Sequence, residues 1–184
     1  MKAHGPASST AHQLRSTEKT ANALLEAGAD AITTGNHVYR HRDVYDYLNR
    51  SDRIVRPANY PYANPGRGHT VVEAGGRRVG VINLSGAIGL TVARSPFHEV
   101  DSILEKIDAD FTIVDFHAEV SSEKVAMGWH LDGRVAAVFG THTHVPTADA
   151  RVLPQGTAFI SDVGMTRSRT SVLGVKPQLI LGTM

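Results

Sequence analysis

The segment Phe111-Thr112-Ile113-Val114-Asp115-Phe116-His117 gives the strongest indication of fold in this chain of 184 residues. Its apolar run is nearly continuous, which is typical of a strand that is covered on both faces in a layered α/β protein. Ser121 is predicted to cap a helix that runs to about His130, and the apolar residues 135–139 predict another buried strand. A strand, a helix and a further strand in succession predict the α/β class.

The same alternation of elements extends outward on both sides of this segment. Apolar residues at helical spacing predict helices, and glycine-containing turns between apolar runs predict hairpins. In chain order, these elements are a helix at 17–28, a strand at 31–34, a helix at 43–50, a strand at 54–55, a hairpin at 70–84, a helix at 100–107 and a second hairpin at 151–160. They predict an α/β sandwich of mixed sheets with helices outside.

The composition excludes several classes of protein. A chain that is 41% hydrophobic and 20% charged is an ordinary globular protein rather than a disordered one. The 19 Lys and Arg residues against 18 Asp and Glu residues give a net charge of +1, which argues against a dedicated nucleic-acid binder. The absence of cysteine excludes disulfides and thiolate metal sites, and it fits a cytoplasmic protein. No apolar stretch approaches the roughly 20 residues of a membrane span.

The chain is predicted to consist of an arm and one domain. Residues 1–15 are small and polar, which predicts a mobile N-terminal arm. Residues 16–184 are predicted to form a single domain, because domains commonly have about 100–200 residues.

Three predicted strands are followed by polar clusters that contain histidine: Gly35-Asn36-His37, Asp115-Phe116-His117 and His142-Thr143-His144. Sites in layered α/β folds gather at the carboxyl ends of strands, so we expect these clusters to lie together. His142 and His144 are two residues apart, and such side chains project from one face of an extended segment. Imidazole and amide oxygen ligands suit iron, manganese, zinc or nickel. His37 is predicted to be a ligand or a proton donor. The alternative is that these histidines are structural or exposed on loops.

Charged residues near these clusters admit several roles. Asp115 is expected either to orient the ring of His117 or to form a cap or an ion pair. Glu119 and Asp162 are the other nearby carboxylates, and none of the three positions predicts a bridge between two metals. Arg56, Arg67 and Arg94 could contact a phosphate, but we expect each of these side chains to be solvated.

The order of the three clusters resembles that in the calcineurin-like metallophosphoesterases, in which an Asn-His pair, a lone His and a His-x-His motif follow one another. Further motifs are similar to those of the YmdB-like bacterial phosphodiesterase branch of that superfamily: Arg56-Pro57-Ala58-Asn59-Tyr60-Pro61, Ser122-Glu123-Lys124-Val125-Ala126-Met127-Gly128-Trp129 and Ser161-Asp162-Val163-Gly164-Met165-Thr166. The resemblance covers about residues 17–175. It implies a four-layer α/β/β/α sandwich with mixed sheets.

The resemblance also implies a reaction and a centre of two divalent metals. Asn36, His117 and His142 match ligands of one metal, and His144 matches a ligand of the other. His37 matches the residue that protonates the leaving oxygen or steadies the phosphate. The metals implied are iron or manganese, with zinc as a further candidate, and the substrates are phosphodiesters such as the cyclic nucleotide 2′,3′-cAMP. The implied reaction is attack on phosphorus by a hydroxide that the metals hold.

Two carboxylate motifs of the family are absent from the sequence: a Gly-Asp pair on the first strand and a Gly-Glu-Asn motif after the second. Ser8 and Ser9 fall near the Glu-Asn positions, and serine does not supply the negative charge. We therefore expect a domain that is truncated at both ends and incomplete at its first strands, and exposed strand edges predict a homo-oligomer. A non-catalytic remnant that acts by association, or by weak metal or nucleotide binding, is the alternative to an enzyme. The Asn36-His37 pair and the short chain disfavour a third candidate, an amidohydrolase.

Overall fold

The computed structural model describes residues 18–182 of the chain. Its helices are α1 (Glu18–Glu26), α2 (Tyr45–Arg50), α3 (Pro96–Leu104), α4 (Ser121–Leu131) and α5 (Pro177–Leu181). Its strands are β1 (Ile32–Thr33), β2 (Ile54–Val55), β3 (His69–Ala74), β4 (Arg77–Ser85), β5 (Phe111–His117), β6 (Ala137–Thr141), β7 (Arg151–Val152) and β8 (Ala158–Ile160). The arm predicted for residues 1–15, which includes Ser8 and Ser9, lies outside the described residues. Between residues 18 and 182, none of the helices has the length and apolar composition needed to cross a bilayer.

Six of the strands form one mixed sheet in the order β3-β4-β5-β6-β8-β7. The four inner strands run parallel, and an antiparallel strand lies at each edge, β3 beside β4 and β7 beside β8. β1 and β2 form a separate parallel pair. This topology confirms the predicted α/β class and the mixed sheet.

Most predicted elements are present, with two differences at helix starts. The two hairpins are confirmed as β3–β4 and β7–β8. The predicted cap at Ser121 is wrong, because Val120 occupies the N-cap position of α4 and its carbonyl oxygen accepts bonds from the amides of Glu123 and Lys124. The helix predicted at 100–107 begins at Pro96, since the fixed φ of proline suits the first turn of a helix.

The interior of the large sheet is where apolar burial is concentrated. Val114 and Phe116 of β5 are fully buried, together with Ile82 of β4, whereas Phe111 at the start of β5 is half exposed. Each such side chain contributes about 1.5–3 kcal/mol on burial. The prediction of a strand covered on both faces therefore holds for the second half of β5, which leads to the carboxyl edge of the sheet.

A second and smaller apolar cluster supports β1 and α2. Ile32 of β1, Leu48 of α2 and Ile54 of β2 are buried together in it. Because β1 is only two residues long, this packing rather than strand pairing fixes the turn that follows it. The larger cluster packs the six-stranded sheet against α3 and α4.

Two of the three arginines considered as phosphate contacts are held by the protein itself, whereas Arg67 is exposed, as predicted. Arg56 is buried, so its predicted solvation is wrong, and its guanidinium donates to the carbonyl oxygens of Pro57 and Ala58 at 2.8 and 3.0 Å. Arg94 is partly buried and lies 2.6 Å from Glu99, so it is not a solvated side chain either. Both guanidinium groups stabilise loop structure.

Candidate metal centre

The histidine clusters lie at the carboxyl ends of strands, as predicted. β5 ends at His117, which lies opposite Thr141 at the end of the parallel strand β6. On its other side, His117 lies opposite Ser85 at the end of β4. β1 ends at Thr33, and Asn36 lies in the turn that follows. Sheet register thus aligns the ends of β4, β5 and β6, while Asn36 reaches the same edge from the separate β1–β2 pair.

Asn36, His117 and His142 meet at this edge and form what we call the three-donor cluster. The Oδ1 atom of Asn36 lies 3.0 Å from Nε2 of His117, and that nitrogen lies 3.1 Å from Nδ1 of His142. The two imidazole rings pack edge to face, with centroids 4.7 Å apart. The structure therefore brings together three residues that are distant in sequence.

Hydrogen bonds behind the ring fix the tautomer of His117. When Asp115 is ionised, its Oδ1 can only accept, so the Thr141 hydroxyl donates to it at 2.7 Å. The Thr141 oxygen then accepts from Nδ1 of His117, 2.9 Å away. In that state the proton of the neutral ring is on Nδ1, and Nε2 presents its lone pair to Asn36 and His142. Asp115 orients the ring of His117 through Thr141.

Glu119 acts in the same way on His142. Its Oε2 lies 2.9 Å from Nε2 of His142 and can only accept, so that nitrogen carries the proton. Nδ1 of the neutral ring then presents a lone pair toward His117. Burial lowers the pKa of His142, which favours the neutral ring, although the charge of Glu119 opposes that shift.

The three-donor cluster consequently places three acceptor atoms face to face. Lone pairs about 3 Å apart repel each other, and a cation between them removes the repulsion. Two ligands about 2.1 Å from one ion, at right angles to each other, are themselves about 3 Å apart, which agrees with the observed spacing. Within residues 18–182, no group of three or more His, Cys, Asp or Glu side chains could hold a metal ion, so the Asn36 amide oxygen would be the third ligand. The donor set fits one divalent ion.

Two glycines permit the close approach of these elements. A Cβ atom on Gly35 would collide with the ring of His117, and one on Gly140 would collide with the carbonyl oxygen of Ser161. Any larger residue at position 35 would displace the ring from the cluster. Gly140 is needed where the end of β6 meets the segment that follows β8.

The two remaining predicted site residues, His37 and His144, are close in sequence to members of the cluster. His37 follows Asn36 and is exposed, and His144 is partly exposed two residues after His142. The prediction that His142 and His144 share one face requires an extended segment. His142 and His144 do not lie on one. β6 ends at Thr141, and the φ angles of the two histidines are 100° and 67°. The roles of His37 and His144 stay predictions.

The sequence did not predict that Glu119 and Thr141 contact the cluster, although both residues do. The available signal is their position: Glu119 follows His117 by two residues, and Thr141 directly precedes His142. Neither spacing is that of a regular element, because each residue lies where a strand gives way to a loop. Carboxylate and hydroxyl groups next to histidines at strand ends are therefore candidates for orienting the rings.

Replacing Asp115 by asparagine is expected to flatten the pH dependence of stability. Burial raises the pKa of Asp115 from 3.8 to about 7. Between these values the folded protein binds the proton more tightly than the unfolded chain, so stability falls as the pH rises through this window. Asparagine does not titrate, so the fall in stability with rising pH should be smaller in the variant. Urea unfolding of both proteins at about pH 4 and about pH 8 measures the effect, and an equal fall in the two proteins would contradict it.

Comparison with known sequences gives a family and a relative of named activity. A model of the family described as YmdB-like protein matches residues 7–184. The chain is also 45% identical over 173 residues to the 2′,3′-cyclic-nucleotide 2′-phosphodiesterase of Bacillus subtilis (strain 168). That alignment covers 93% of this chain and 66% of the Bacillus protein.

Two solved structures are similar to the whole described fold. A hypothetical protein from Thermus thermophilus matches with a TM-score of 0.84 and 42% identity, over 90% of this chain and 66% of that one. A crystal structure described as a novel phosphatase of Mycoplasma pneumoniae matches with a TM-score of 0.79 and 38% identity, over 90% and 61%. The chain thus spans less than two thirds of the length of these relatives. The likeness confirms the predicted phosphoesterase-like α/β fold.

Proposed function

The chain belongs to the YmdB-like protein family, as its motifs indicated, and on that premise we propose that it is a metal-dependent phosphodiesterase. The observation that carries this proposal is the convergence of Asn36 Oδ1, His117 Nε2 and His142 Nδ1 at the carboxyl edge of the sheet. The Bacillus relative is named as a phosphodiesterase and the Mycoplasma structure as a phosphatase, and both names support hydrolysis of a phosphate ester.

The proposed cofactors are two divalent ions, iron or manganese, with zinc as a further candidate. Asn36, His117 and His142 would hold one ion, and His144 would contribute to holding the other. When bound, such ions supply positive charge to phosphoryl oxygens and make water a stronger nucleophile at neutral pH. A donor set of amide oxygen and neutral imidazoles leaves that positive charge largely uncompensated, which favours an anionic substrate.

The protein's own residues orient the donors and supply a proton. Asp115, acting through Thr141, keeps the Nε2 lone pair of His117 directed into the cluster, and Glu119 does the same for His142. His37 is the proposed acid that protonates the oxygen leaving phosphorus, a role that suits an imidazole near neutral pH.

The proposed substrate is a small phosphodiester of the nucleotide class, with 2′,3′-cAMP as the first compound to test. The name of the Bacillus relative supports this class. The position of the cluster also suits a small soluble ester, because His37 is exposed and the Glu119 side chain is 57% exposed.

Metal content and hydrolysis measured on the same sample test this function. The chain is stripped with a chelator, reloaded with Mn²⁺ or Fe²⁺, analysed for bound metal and assayed with 2′,3′-cAMP and a bis-aryl phosphate. About two equivalents of metal per chain together with hydrolysis support the enzyme. One equivalent or none, without hydrolysis, overturns it and favours the alternative, a non-catalytic protein that binds metal or nucleotide weakly.

We also propose that the chain forms a homo-oligomer. Among the strands within residues 18–182, β7 is an exposed edge strand of the large sheet, with β8 as its only ladder partner. Val172 and Leu181 are exposed apolar residues near the end of the described segment. Open edges and apolar side chains favour association with a second copy. Sedimentation at micromolar concentration checks this, and a purely monomeric boundary would exclude it.

The proposed location is the cytoplasm. A chain of 184 residues without cysteine suits a reducing compartment. Cell fractionation with an antibody to the chain checks the location, and recovery in the medium or the membrane fraction would contradict it.

A further inference from the structure

The fold buries an ion pair that the proposed reaction does not use. Lys124 of α4 and Asp162, two residues after β8, have side chains that are 3% and 2% exposed, with Nζ 2.7 Å from Oδ2. Burying two charges is costly, and apolar residues of similar volume often give equal or greater stability. Stability alone therefore does not account for this pair.

The carboxylate of Asp162 also binds the segment that carries His142 and His144. Its Oδ2 accepts hydrogen bonds from the amide and the hydroxyl of Thr143, at 3.2 and 2.8 Å. Thr143 is the residue between the two histidines, so this segment is held at its centre. The ammonium group of Lys124 contacts the same Oδ2 atom and holds it in place.

The backbone of this segment needs support from outside. The φ angles of His142 and His144 lie in the left-handed region, which residues other than glycine rarely adopt. Gly140 makes the support possible, because a Cβ atom there would lie 2.9 Å from Cδ of Lys124. The bare glycine lets the lysine side chain pass the end of β6 and reach Asp162.

We propose that Lys124 and Asp162 are positioning residues, which act through Thr143 to hold His142 and His144 in the conformation that binds metal. The proposal depends on the proposed function for the metal, but not for the conformation of the segment. Without the pair, the segment relaxes toward ordinary backbone angles. Nδ1 of His142 then leaves the three-donor cluster, and metal affinity falls.

Two substitutions at Thr143 test the link without disturbing the buried charges. Thr143→Val removes the hydroxyl at nearly the same shape, and Thr143→Ser keeps it. Calorimetric titration of the metal-free chain with Mn²⁺ should show affinity about 10–100-fold lower in the valine variant. The serine variant should stay close to the parent. Lys124→Met removes the other end of the link and should lower the affinity in the same direction.

Asp132→Asn is the matched control for a buried carboxylate that holds a loop. Asp132 is buried after α4 and accepts hydrogen bonds from the amides of Gln155 and Thr157, at the amino ends of β6 and β8. This variant should lose stability, as Lys124→Met should, but its affinity for Mn²⁺ should not change. The contrast separates positioning from a general loss of stability.

Hydrogen exchange at the Thr143 amide gives a measurement that needs no metal. Exchange in Lys124→Met should be faster by about tenfold or more, and in Asp132→Asn it should match the parent.

If the parent binds no Mn²⁺, the proposed function fails, while exchange still decides the positioning proposal. Parent-like exchange in Lys124→Met, or parent-like Mn²⁺ affinity in Thr143→Val, would overturn the proposal. Should Lys124→Met fail to fold, Asp162→Asn replaces it in the exchange measurement, with the same expected increase.

Discussion

His37→Ala is expected to slow hydrolysis of 2′,3′-cAMP by about 10²–10⁴-fold while the metal content stays at the level of the parent. His37 is exposed and lies next to Asn36 in the turn after β1, and in the proposed role its ring donates a proton to the oxygen that leaves phosphorus. An alkoxide of ribose is a poor leaving group, so loss of the proton donor is costly. The value of kcat at saturating metal, together with metal analysis, measures the effect.

A second substrate separates proton donation by His37 from other roles. The leaving group of bis(4-nitrophenyl) phosphate needs no proton, so its hydrolysis should fall much less in His37→Ala than that of 2′,3′-cAMP. His41→Ala, in the same turn, is the matched control and should be unaffected with both substrates. Equal losses of hydrolysis with the two substrates would indicate that His37 binds the phosphate. Loss of bound metal in His37→Ala would indicate that His37 is a metal ligand.

His142→Ala is expected to lower the metal content by about one equivalent per chain, with hydrolysis falling in parallel. The substitution removes one of the three acceptor atoms, and Asn36 and His117 alone hold an ion weakly. A bound ion stabilises the folded chain by mass action, so the rise in Tm on adding Mn²⁺ should also be lost. Metal analysis and thermal unfolding with and without Mn²⁺ measure the two effects.

His130→Ala is the matched control for His142→Ala. His130 lies in α4, with its ring 2.9 Å from Asp101 and its side chain 30% exposed. Its removal should leave both the metal content and the Mn²⁺-dependent rise in Tm unchanged. An unchanged metal content in His142→Ala would mean that the three-donor cluster is not the metal site.

The sequence was sufficient to predict the elements whose patterns are regular. The apolar run of β5, the glycine turn between β3 and β4 and the helical spacing in α3 are each features of local sequence. The strand-end rule also predicted that Asn36, His117 and His142 lie together. Register accounts for His117 and His142, which lie at the ends of neighbouring parallel strands, whereas Asn36 follows the separate β1–β2 pair.

The remaining features depend on groups that are distant in sequence. From the sequence alone, Lys124 is only a polar residue on α4. Its burial depends on Gly140 of β6 and on Asp162 after β8. The left-handed angles of His142 and His144 likewise occur in a segment that is held by hydrogen bonds from Thr143 to the distant Asp162. Periodicity does not predict such contacts, because it describes one element at a time.

The three acceptor atoms are attached to different apolar clusters. Asn36 follows β1 and belongs with the smaller cluster, whereas His117 and His142 extend from the six-stranded sheet. An ion bound by all three would cross-link the turn after β1 to the edge of the six-stranded sheet. Separating the turn from the sheet would then require breaking a coordination bond, so ion uptake and this contact are thermodynamically linked.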